Sequence, residues 1–265
     1  GRPNNTDTFE HGSPLGHSEG ETIVDGNTFT VFCGREGCTA CATLTVNVSN
    51  KTYDAEPVDI TFSTSDGWED FHRGTPEITY YQNDIPYEGN IFNTKEGKPI
   101  LAGEYTAMIS LKSATGSWGT IRVDYTISKR SLVVQVDDRE INDEVSVPNC
   151  TWTYLSQPPV AADMTYLSMQ ADNSTWPDTT KPGTYKINLL ISDKYGHIPR
   201  IGSYDVQIIP GNLTVKHSHV YDREIDTTKY LKSVATCYSP AVYYKSCRCG
   251  EFSTTDSGTF AMGGK

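Results

Sequence analysis

Two groups of cysteine and histidine residues carry the side chains of this sequence that are best suited to chemistry. One group lies near each end of the chain, and each has three cysteines with a histidine upstream: His17, Cys33, Cys38 and Cys41 in the first, and His219, Cys237, Cys247 and Cys249 in the second. A structural zinc ion takes four cysteine or histidine ligands, and closely spaced cysteines supply several of them from one turn. The sequence therefore predicts a zinc site in each group.

Disulfide bonds are the alternative for both groups, because exported proteins often staple small cysteine-rich segments in this way. The chain has seven cysteines, an odd number. Three cysteines in a group would also leave one thiol of that group unpaired, which counts against disulfides. The choice of histidine is open too, since His11 and His217 lie close to the two groups in the sequence. Zinc and disulfide remain alternatives at both ends.

Motifs for catalysis do not occur in the sequence. It contains no His-Glu-x-x-His, no Gly-x-Ser-x-Gly, no phosphate loop and no dinucleotide fingerprint. Cys150 lies far from both groups, and a pairing with His72 or His197 would make a nucleophile and its base. Because Cys150 lies close to Trp152 and Tyr154 in the sequence, we instead interpret it as a small hydrophobic core residue. The sequence thus favours a protein that is not an enzyme.

Acidic segments occur at 66–70 and 137–144. Their carboxylates are suitable ligands for Ca²⁺, but neither segment has the ligand spacing of a known calcium loop. We interpret both as solvated acidic loops.

Three tryptophans, Trp68, Trp118 and Trp176, lie among turn-forming residues. A tryptophan exposed on a loop can stack on a sugar or anchor a protein partner, so these three are our candidate ligand-binding residues. The alternative is that each ring folds back over its own sheet as an end plug.

The charge of the chain excludes two classes of partner. The net charge is −11 over 265 residues, whereas nucleic acids and anionic membranes bind basic surfaces. No apolar run approaches the roughly 20 residues of a membrane span, and we expect no signal peptide within this sequence. We expect the sequence to be a fragment of a longer protein, without a membrane-inserted part of its own.

Internal repetition predicts the elements that must position these residues. Gly103-Glu104-Tyr105 and Gly183-Thr184-Tyr185 recur at a spacing of about 80 residues, and each is followed by a glycine-containing turn and a second strand. The second strands contain Tyr125 and Tyr204, which we expect to be buried at matching positions. The pattern predicts two hairpins at the same place in two separate β-sandwiches.

A third marker sets the boundaries. Leu44, Leu132 and Leu213 each open a strand of alternating character, and nothing between them has the period of a long amphipathic helix. We therefore predict an all-β chain of tandem immunoglobulin-like modules flanked by small Cys/His-rich modules. The four segments are a head (1–43), a first module (44–130), a second module (131–215) and a tail (216–265).

Several of these stretches resemble known bacterial repeats. The stretch 50–58, with Tyr53-Asp54-Ala55, and the strands 102–105 and 125–129 resemble extracellular immunoglobulin-like repeats of the MBG/YDG type, which usually have Tyr-Asp-Gly. The tail resembles a short cysteine repeat found in large surface proteins of gut Firmicutes, and the head resembles another module of those proteins. The resemblance implies a secreted, wall-associated or cell-surface protein without enzymatic activity.

The sequence as a whole predicts a non-enzymatic extracellular segment of a bacterial surface protein. Its role would be that of a spacer and an adhesion or interaction module, with the neighbouring modules of the same chain as partners. The alternative is direct recognition of a host protein or glycan, either an immunoglobulin in the manner of a superantigen or a mucin-type glycan.

Overall fold

The computed structural model describes residues 16–71, 75–90, 92–113, 116–143, 145, 149–196 and 200–262. His11, His72 and His197 lie outside these residues, as does the side chain of Trp118. The roles suggested for these four side chains therefore remain predictions from the sequence.

Strands make up nearly all of the regular structure, with 49% strand against 7% helix, so the all-β prediction is confirmed. The strands of the first part of the chain are β1 (Glu19–Asp25), β2 (Thr28–Cys33), β3 (Cys41–Asn47), β4 (Lys51–Thr52), β5 (Thr61–Thr64), β6 (Glu77–Gln82), β7 (Ile85–Pro86), β8 (Thr94–Lys95), β9 (Lys98–Pro99), β10 (Gly103–Ser113), β11 (Gly116–Ser128) and β12 (Arg130–Val136). The remaining strands are β13 (Arg139–Asn142), β14 (Trp152–Tyr154), β15 (Leu167–Ala171), β16 (Gly183–Ile187), β17 (Leu189–Asp193), β18 (Tyr204–Ile209), β19 (Gly211–Lys216), β20 (Leu231–Ser233), β21 (Ala241–Tyr244) and β22 (Thr259–Met262).

Helices are short. In the part of the chain that the structure describes, one α-helical turn, α1, spans Trp68–Phe71, and four 3-10 turns span Ala161–Asp163, Asn173–Thr175, Ile201–Ser203 and Thr228–Tyr230. Within the described ranges, no helix has the length and apolar character needed to cross a membrane.

The chain divides into two compact units. The first consists of Gly1–Val134, Tyr154–Met169 and Leu190–Gln207, and the second of Gln135–Thr153, Gln170–Leu189 and Ile208–Lys265. Sheets of the first unit have the strand orders β1-β2-β3-β5 and β4-β11-β10-β6-β7, and β8-β9 form a separate two-stranded sheet. Sheets of the second unit have the orders β13-β19-β16 and β20-β21-β22. Two further sheets have the orders β14-β12-β18 and β15-β17.

The long hairpin β10–β11 forms the centre of the first unit. Its register pairs Tyr105 with Tyr125, and their rings stack at a centroid distance of 5.6 Å. Along β11 every second residue from Ile121 to Ile127 is buried, as expected for a strand with one face on a core. The first of the two predicted hairpins is therefore present.

The prediction of a second hairpin is wrong. Strand β16 pairs with β19, not with β18, so that Tyr185 lies opposite Leu213. Pro210 separates β18 from β19, and since proline has no N–H to donate, the ladder cannot run through this position. Tyr204 and Tyr125 are both buried, at 3% exposure each, which confirms their burial, but they do not occupy matching places.

A shared feature of the two units is a parallel pair. In the first, β4 runs parallel to the end of β11, and in the second, β13 runs parallel to β19. The strand β4 leads into Ala55, whose φ of +64° lies in the left-handed region that favours glycine. The turn therefore keeps the backbone that a glycine would allow, with alanine in its place.

A buried polar network holds distant segments of the first unit together. The Asp163 carboxylate accepts hydrogen bonds from the hydroxyls of Tyr53 at 2.8 Å and Tyr204 at 2.6 Å. Arg200 pairs with Asp163 at 3.3 Å and donates to the Tyr53 hydroxyl at 3.1 Å. All four residues are at most 5% exposed. Burial, together with the nearby carboxylate, raises the pKa of Tyr53 and of Tyr204, so both hydroxyls stay protonated as donors.

Removal of the carboxylate tests this network. In Asp163→Ala the buried Arg200 cation loses its counter-ion, and we expect unfolding of the first unit to cost about 3–5 kcal/mol less. The free energy of unfolding from urea titrations measures the effect. Asp84→Ala is the control, because it breaks the solvent-exposed pair with Arg122 in the same unit and should have a much smaller effect. Equal losses in the two variants would contradict the account.

Candidate metal centres

The tail centre consists of His217, His219, Cys247 and Cys249. The four ligand atoms of these residues all lie within 4.8 Å of one another. Nε2 of His217 lies 3.2 Å from Sγ of Cys247, and Nδ1 of His219 lies 3.5 Å from Sγ of Cys249. Two thiols and two imidazoles at these separations can hold a metal ion.

The ends of strands position the four residues. The two histidines follow β19 directly, and the two cysteines follow β21. Cys247 begins a tight turn. The N–H of Cys247 donates to the carbonyl of Glu251 at 2.7 Å, and the N–H of Gly250 donates to the carbonyl of Cys247 at 2.9 Å. Gly250 has a φ of +84°, which a side chain would oppose. The turn brings both sulfurs towards the histidines.

Access to the tail centre is from one side. Cys247 is buried at 2% exposure, whereas Cys249 and His219 are exposed. A cavity of about 670 Å³ adjoins the exposed side and is lined in part by Arg223, Arg248 and Glu251. An ion or a chelator therefore has a path to the ligand atoms.

Asp143 lies beside the tail centre. Its carboxylate accepts hydrogen bonds from Nδ1 of His217 and from the Arg248 guanidinium, and at 3.2 Å from the N–H of Ser218. The residue is only 8% exposed. The interpretation of 137–144 as a solvated acidic loop is thus wrong for Asp143, because parallel pairing of β13 with β19 carries it next to His217.

These contacts shift the protonation of the tail centre. The hydrogen bond with Asp143, followed by that with Cys247, raises the pKa of His217 to about 9. The hydrogen bond from His217 likewise lowers the pKa of Asp143 to about 2. Burial raises the pKa of the Cys247 thiol, but hydrogen bonds from the Cys249 backbone and His217 outweigh it and lower that pKa to about 6. The Cys247 sulfur is therefore ready to act as a thiolate ligand.

The structure replaces one predicted tail residue by another. Cys237 is exposed in the loop between β20 and β21 and does not belong to the group, whereas His217 does. That loop folds on itself, with the N–H of Thr236 donating to the carbonyl of Ser239 at 2.9 Å. The signal for His217 in the sequence is the pair His217-x-His219, which has the same spacing as Cys247-x-Cys249.

The head centre consists of His17, Cys33 and Cys38, whose ligand atoms also lie within 4.8 Å of one another. Nδ1 of His17 lies 3.5 Å from Sγ of Cys38, and the His17 ring stacks on Phe71 at a centroid distance of 4.4 Å. Backbone hydrogen bonds from Ser18 and Arg35 lower the pKa of the Cys33 thiol to about 6. The head centre can therefore offer a thiolate and an oriented imidazole to a metal ion.

Cys41 does not join the head centre. It pairs with Phe32 across β2 and β3, so the two side chains point to the same face of the sheet. Cys33 is the next residue along β2 and points to the opposite face, with the buried Phe29 and Val31. Strand alternation therefore separates Cys41 from the ligands that the sequence grouped with it.

All seven cysteines are free thiols in this structure. Cys150 is half-buried, and burial raises the pKa of its thiol, which is the opposite of what an activated nucleophile requires.

The tryptophans differ in their surroundings. Trp68 is buried at 4% exposure in α1, which packs against β2 and β3. Its ring is an end plug in this structure and offers no surface to a ligand, contrary to the recognition hypothesis. Trp176 is half-buried.

Comparisons with known proteins add little. No family model and no curated protein matches the chain. Among solved structures it is similar to the N-terminal four Ig domains of Dscam1 isoform 4.4, at 10% identity and a TM-score of 0.22 over 77% of this chain. The chain spans 47% of that structure, about half its length. It is also similar to the Bacteroides ovatus mixed-linkage glucan utilization locus SGBP-B in complex with mixed-linkage heptasaccharide, at 12% identity and a TM-score of 0.15, over 90% of this chain and 74% of that one. At these TM-scores neither likeness supports an argument.

Acid should weaken metal binding at the tail centre. A metal ion binds the neutral imidazole and the thiolate, so protons compete with it at His217, whose pKa is about 9, and at Cys247, whose pKa is about 6. We expect the affinity for zinc to fall as the pH is lowered from 9, and to fall more steeply below about pH 6. Competition against a chelator with a known pH dependence measures this. An affinity that is constant from pH 9 to pH 5 would contradict the assignment.

Proposed function

We propose that this chain is a non-enzymatic extracellular segment of a bacterial surface protein, and that it serves as a spacer and interaction module with zinc at both ends. The convergence of two thiols and two imidazoles in the tail centre is the observation that carries this proposal. The proposed organisation is the one that the sequence predicts: a head (1–43), two β-modules (44–130 and 131–215) and a tail (216–265).

Zinc is the metal that fits the donors best. Thiolate and imidazole together suit zinc, whereas calcium and magnesium take oxygen ligands. Four protein ligands favour a closed, structural site, in which the ion holds the chain rather than a substrate. The tail centre supplies four such ligands, and the head centre supplies three from the part of the chain that the structure describes.

The tail needs a staple because its apolar core is small. Between residues 216 and 262, the buried apolar side chains are Tyr230 at 6% exposure and Cys247 at 2%. Aromatic contacts such as that of Tyr230 with Phe252, at a centroid distance of 5.5 Å, add only partly buried surface. Segments of this size rarely fold on apolar burial alone, and metal binding supplies the missing free energy of folding.

A spacer role agrees with the buried network of the first unit. Tyr53 belongs to the first predicted β-module, while Asp163, Arg200 and Tyr204 belong to the second. A buried network of hydrogen bonds and an ion pair favours one arrangement of the segments that it joins. Such a connection suits a stiff spacer, whose immediate partners are the neighbouring modules of the same chain.

Matched cysteine variants test the zinc assignment. We expect two zinc ions per chain by elemental analysis of the purified protein. Cys247→Ala and Cys38→Ala should each lose one ion, because each removes a thiol from a centre. Cys237→Ala and Cys41→Ala should lose none, although they remove the same side chain from the same two regions. A loss in the second pair as large as in the first would show that the ligand sets are wrong.

Direct binding assays separate the spacer from its rival. For a spacer, we expect no saturable response of the zinc-loaded chain to immobilised immunoglobulin or to mucin in surface plasmon resonance. Saturable binding would favour the recognition function. A loss of that binding in Trp176→Ala, with zinc content unchanged, would place the recognition surface at the half-buried tryptophan.

A further inference from the structure

We propose that Asp143 is a positioning residue for the tail centre, and that a metal ion bound there fastens the tail to strand β13 through the Asp143 carboxylate. The proposal rests on the zinc assignment of the preceding subsection and adds to it an outer residue that fixes the ligands.

Strand pairing brings Asp143 to the centre. Because β13 and β19 are parallel and Asn142 pairs with Lys216, the two strands end side by side. The next residues along the two strands are Asp143 and His217, and the N–H of Asp143 donates to the carbonyl of Lys216 at 2.8 Å. The carboxylate is thus held by the sheet before any metal ion is bound.

The contact with Asp143 selects the ligand atom of His217. A carboxylate can only accept a hydrogen bond, so Nδ1 of His217 must carry the proton that is shared with Asp143. In the neutral ring, this leaves the lone pair on Nε2, which lies 3.2 Å from Sγ of Cys247. Metal-binding histidines commonly donate their second N–H to a carboxylate in this way, which fixes the tautomer and the direction of the ring.

The same carboxylate reaches the cysteine side of the centre. Arg248, which lies between the two cysteine ligands in the sequence, donates to Oδ2 of Asp143, the oxygen that also accepts from His217. Oδ1 accepts from the N–H of Ser218, between the two histidine ligands, at 3.2 Å. One carboxylate therefore contacts both ligand-bearing segments, and its side chain is only 5% exposed.

The geometry gives Asp143 a role that a solvated carboxylate could not have. Both of its oxygens already accept hydrogen bonds, so it acts on the metal ion through His217 and Arg248 rather than as a ligand. Hydrogen bonds to a buried charged acceptor are short and strong, which limits rotation of the His217 ring. Metal affinity should therefore depend on a residue that is remote from the ligands in sequence and belongs to another strand.

Asp143→Asn tests this role, because it keeps the size of the side chain and removes its charge. The experiment uses the full chain with Cys33→Ala and Cys38→Ala, so that zinc reports on the tail centre alone. We expect the affinity for zinc, measured by competition with a chromophoric chelator, to fall about 10- to 100-fold. Asp143→Glu should recover part of the loss, since it restores the charge.

Asp138→Asn is the matched control. Asp138 is also an aspartate next to β13. Its carboxylate accepts hydrogen bonds from the backbone N–H and from Nδ2 of Asn212, at 2.7 and 3.0 Å. Among the described residues, its hydrogen bonds go to Asn212 and not to the tail centre, so its substitution should leave zinc affinity unchanged. The visible spectrum of the Co²⁺-loaded protein gives a second readout, which should change in Asp143→Asn and not in Asp138→Asn.

The outcomes separate the two levels of the proposal. If the parent chain binds zinc and Asp143→Asn binds it equally well, with an unchanged Co²⁺ spectrum, the positioning role is wrong and the zinc assignment stands. If the parent chain binds no zinc, the zinc assignment itself fails. Should Asp143→Asn fold only with metal, the zinc concentration at half-maximal refolding replaces the affinity. A value 10- to 100-fold higher than for Asp138→Asn supports the role, and an equal value overturns it.

Discussion

The tail cannot be held by apolar burial, and this constraint governs the rest of the account. Its described residues bury few large apolar side chains, so the short strands β20, β21 and β22 have little to pack against. What the tail does have is two thiols and two imidazoles at one place. A metal ion that joins them would replace the missing core, because the free energy of metal binding becomes free energy of folding. We therefore regard the tail centre as the structural basis of the tail.

The alternation of side chains along strands decides which cysteines can meet. Cys38 and Cys41 have the spacing of a zinc knuckle in the sequence, yet Cys41 begins β3 and points away from the face that Cys33 occupies. In the tail, a tight turn after β21 instead brings Cys247 and Cys249 towards the histidines. The sequence contains the spacings of all these cysteines, but the strand boundaries and the register decide which of them meet.

How much could be predicted from the sequence depends on the range of the interaction. The all-β class and the strands that contain Leu44, Leu132 and Leu213 follow from local alternation, and the structure places all three residues in the core. The pairing of β16 with β19 did not follow from it, because a hairpin and a longer connection between two strands show the same local alternation of residues. Asp143 and Asp163 were also missed. Each acts through partners far along the chain, for example Arg248 for Asp143 and Tyr53 for Asp163.

Each unit thus buries an aspartate among donors from distant segments. In the first unit, Asp163 accepts hydrogen bonds from two tyrosines and forms an ion pair with an arginine, all within the protein. In the second, Asp143 is satisfied by a histidine and an arginine that flank candidate metal ligands. The difference accounts for the proposed division of roles, in which one carboxylate fixes strands directly and the other fixes them through a metal ion.

X-ray absorption at the zinc edge tests the central claim most directly, with the head centre silenced by Cys33→Ala and Cys38→Ala. We expect two sulfur ligands at about 2.3 Å and two nitrogen ligands at about 2.0 Å from the ion. A first shell of oxygen atoms, or of three sulfurs and one nitrogen, would contradict the assignment of His217, His219, Cys247 and Cys249 as the ligands.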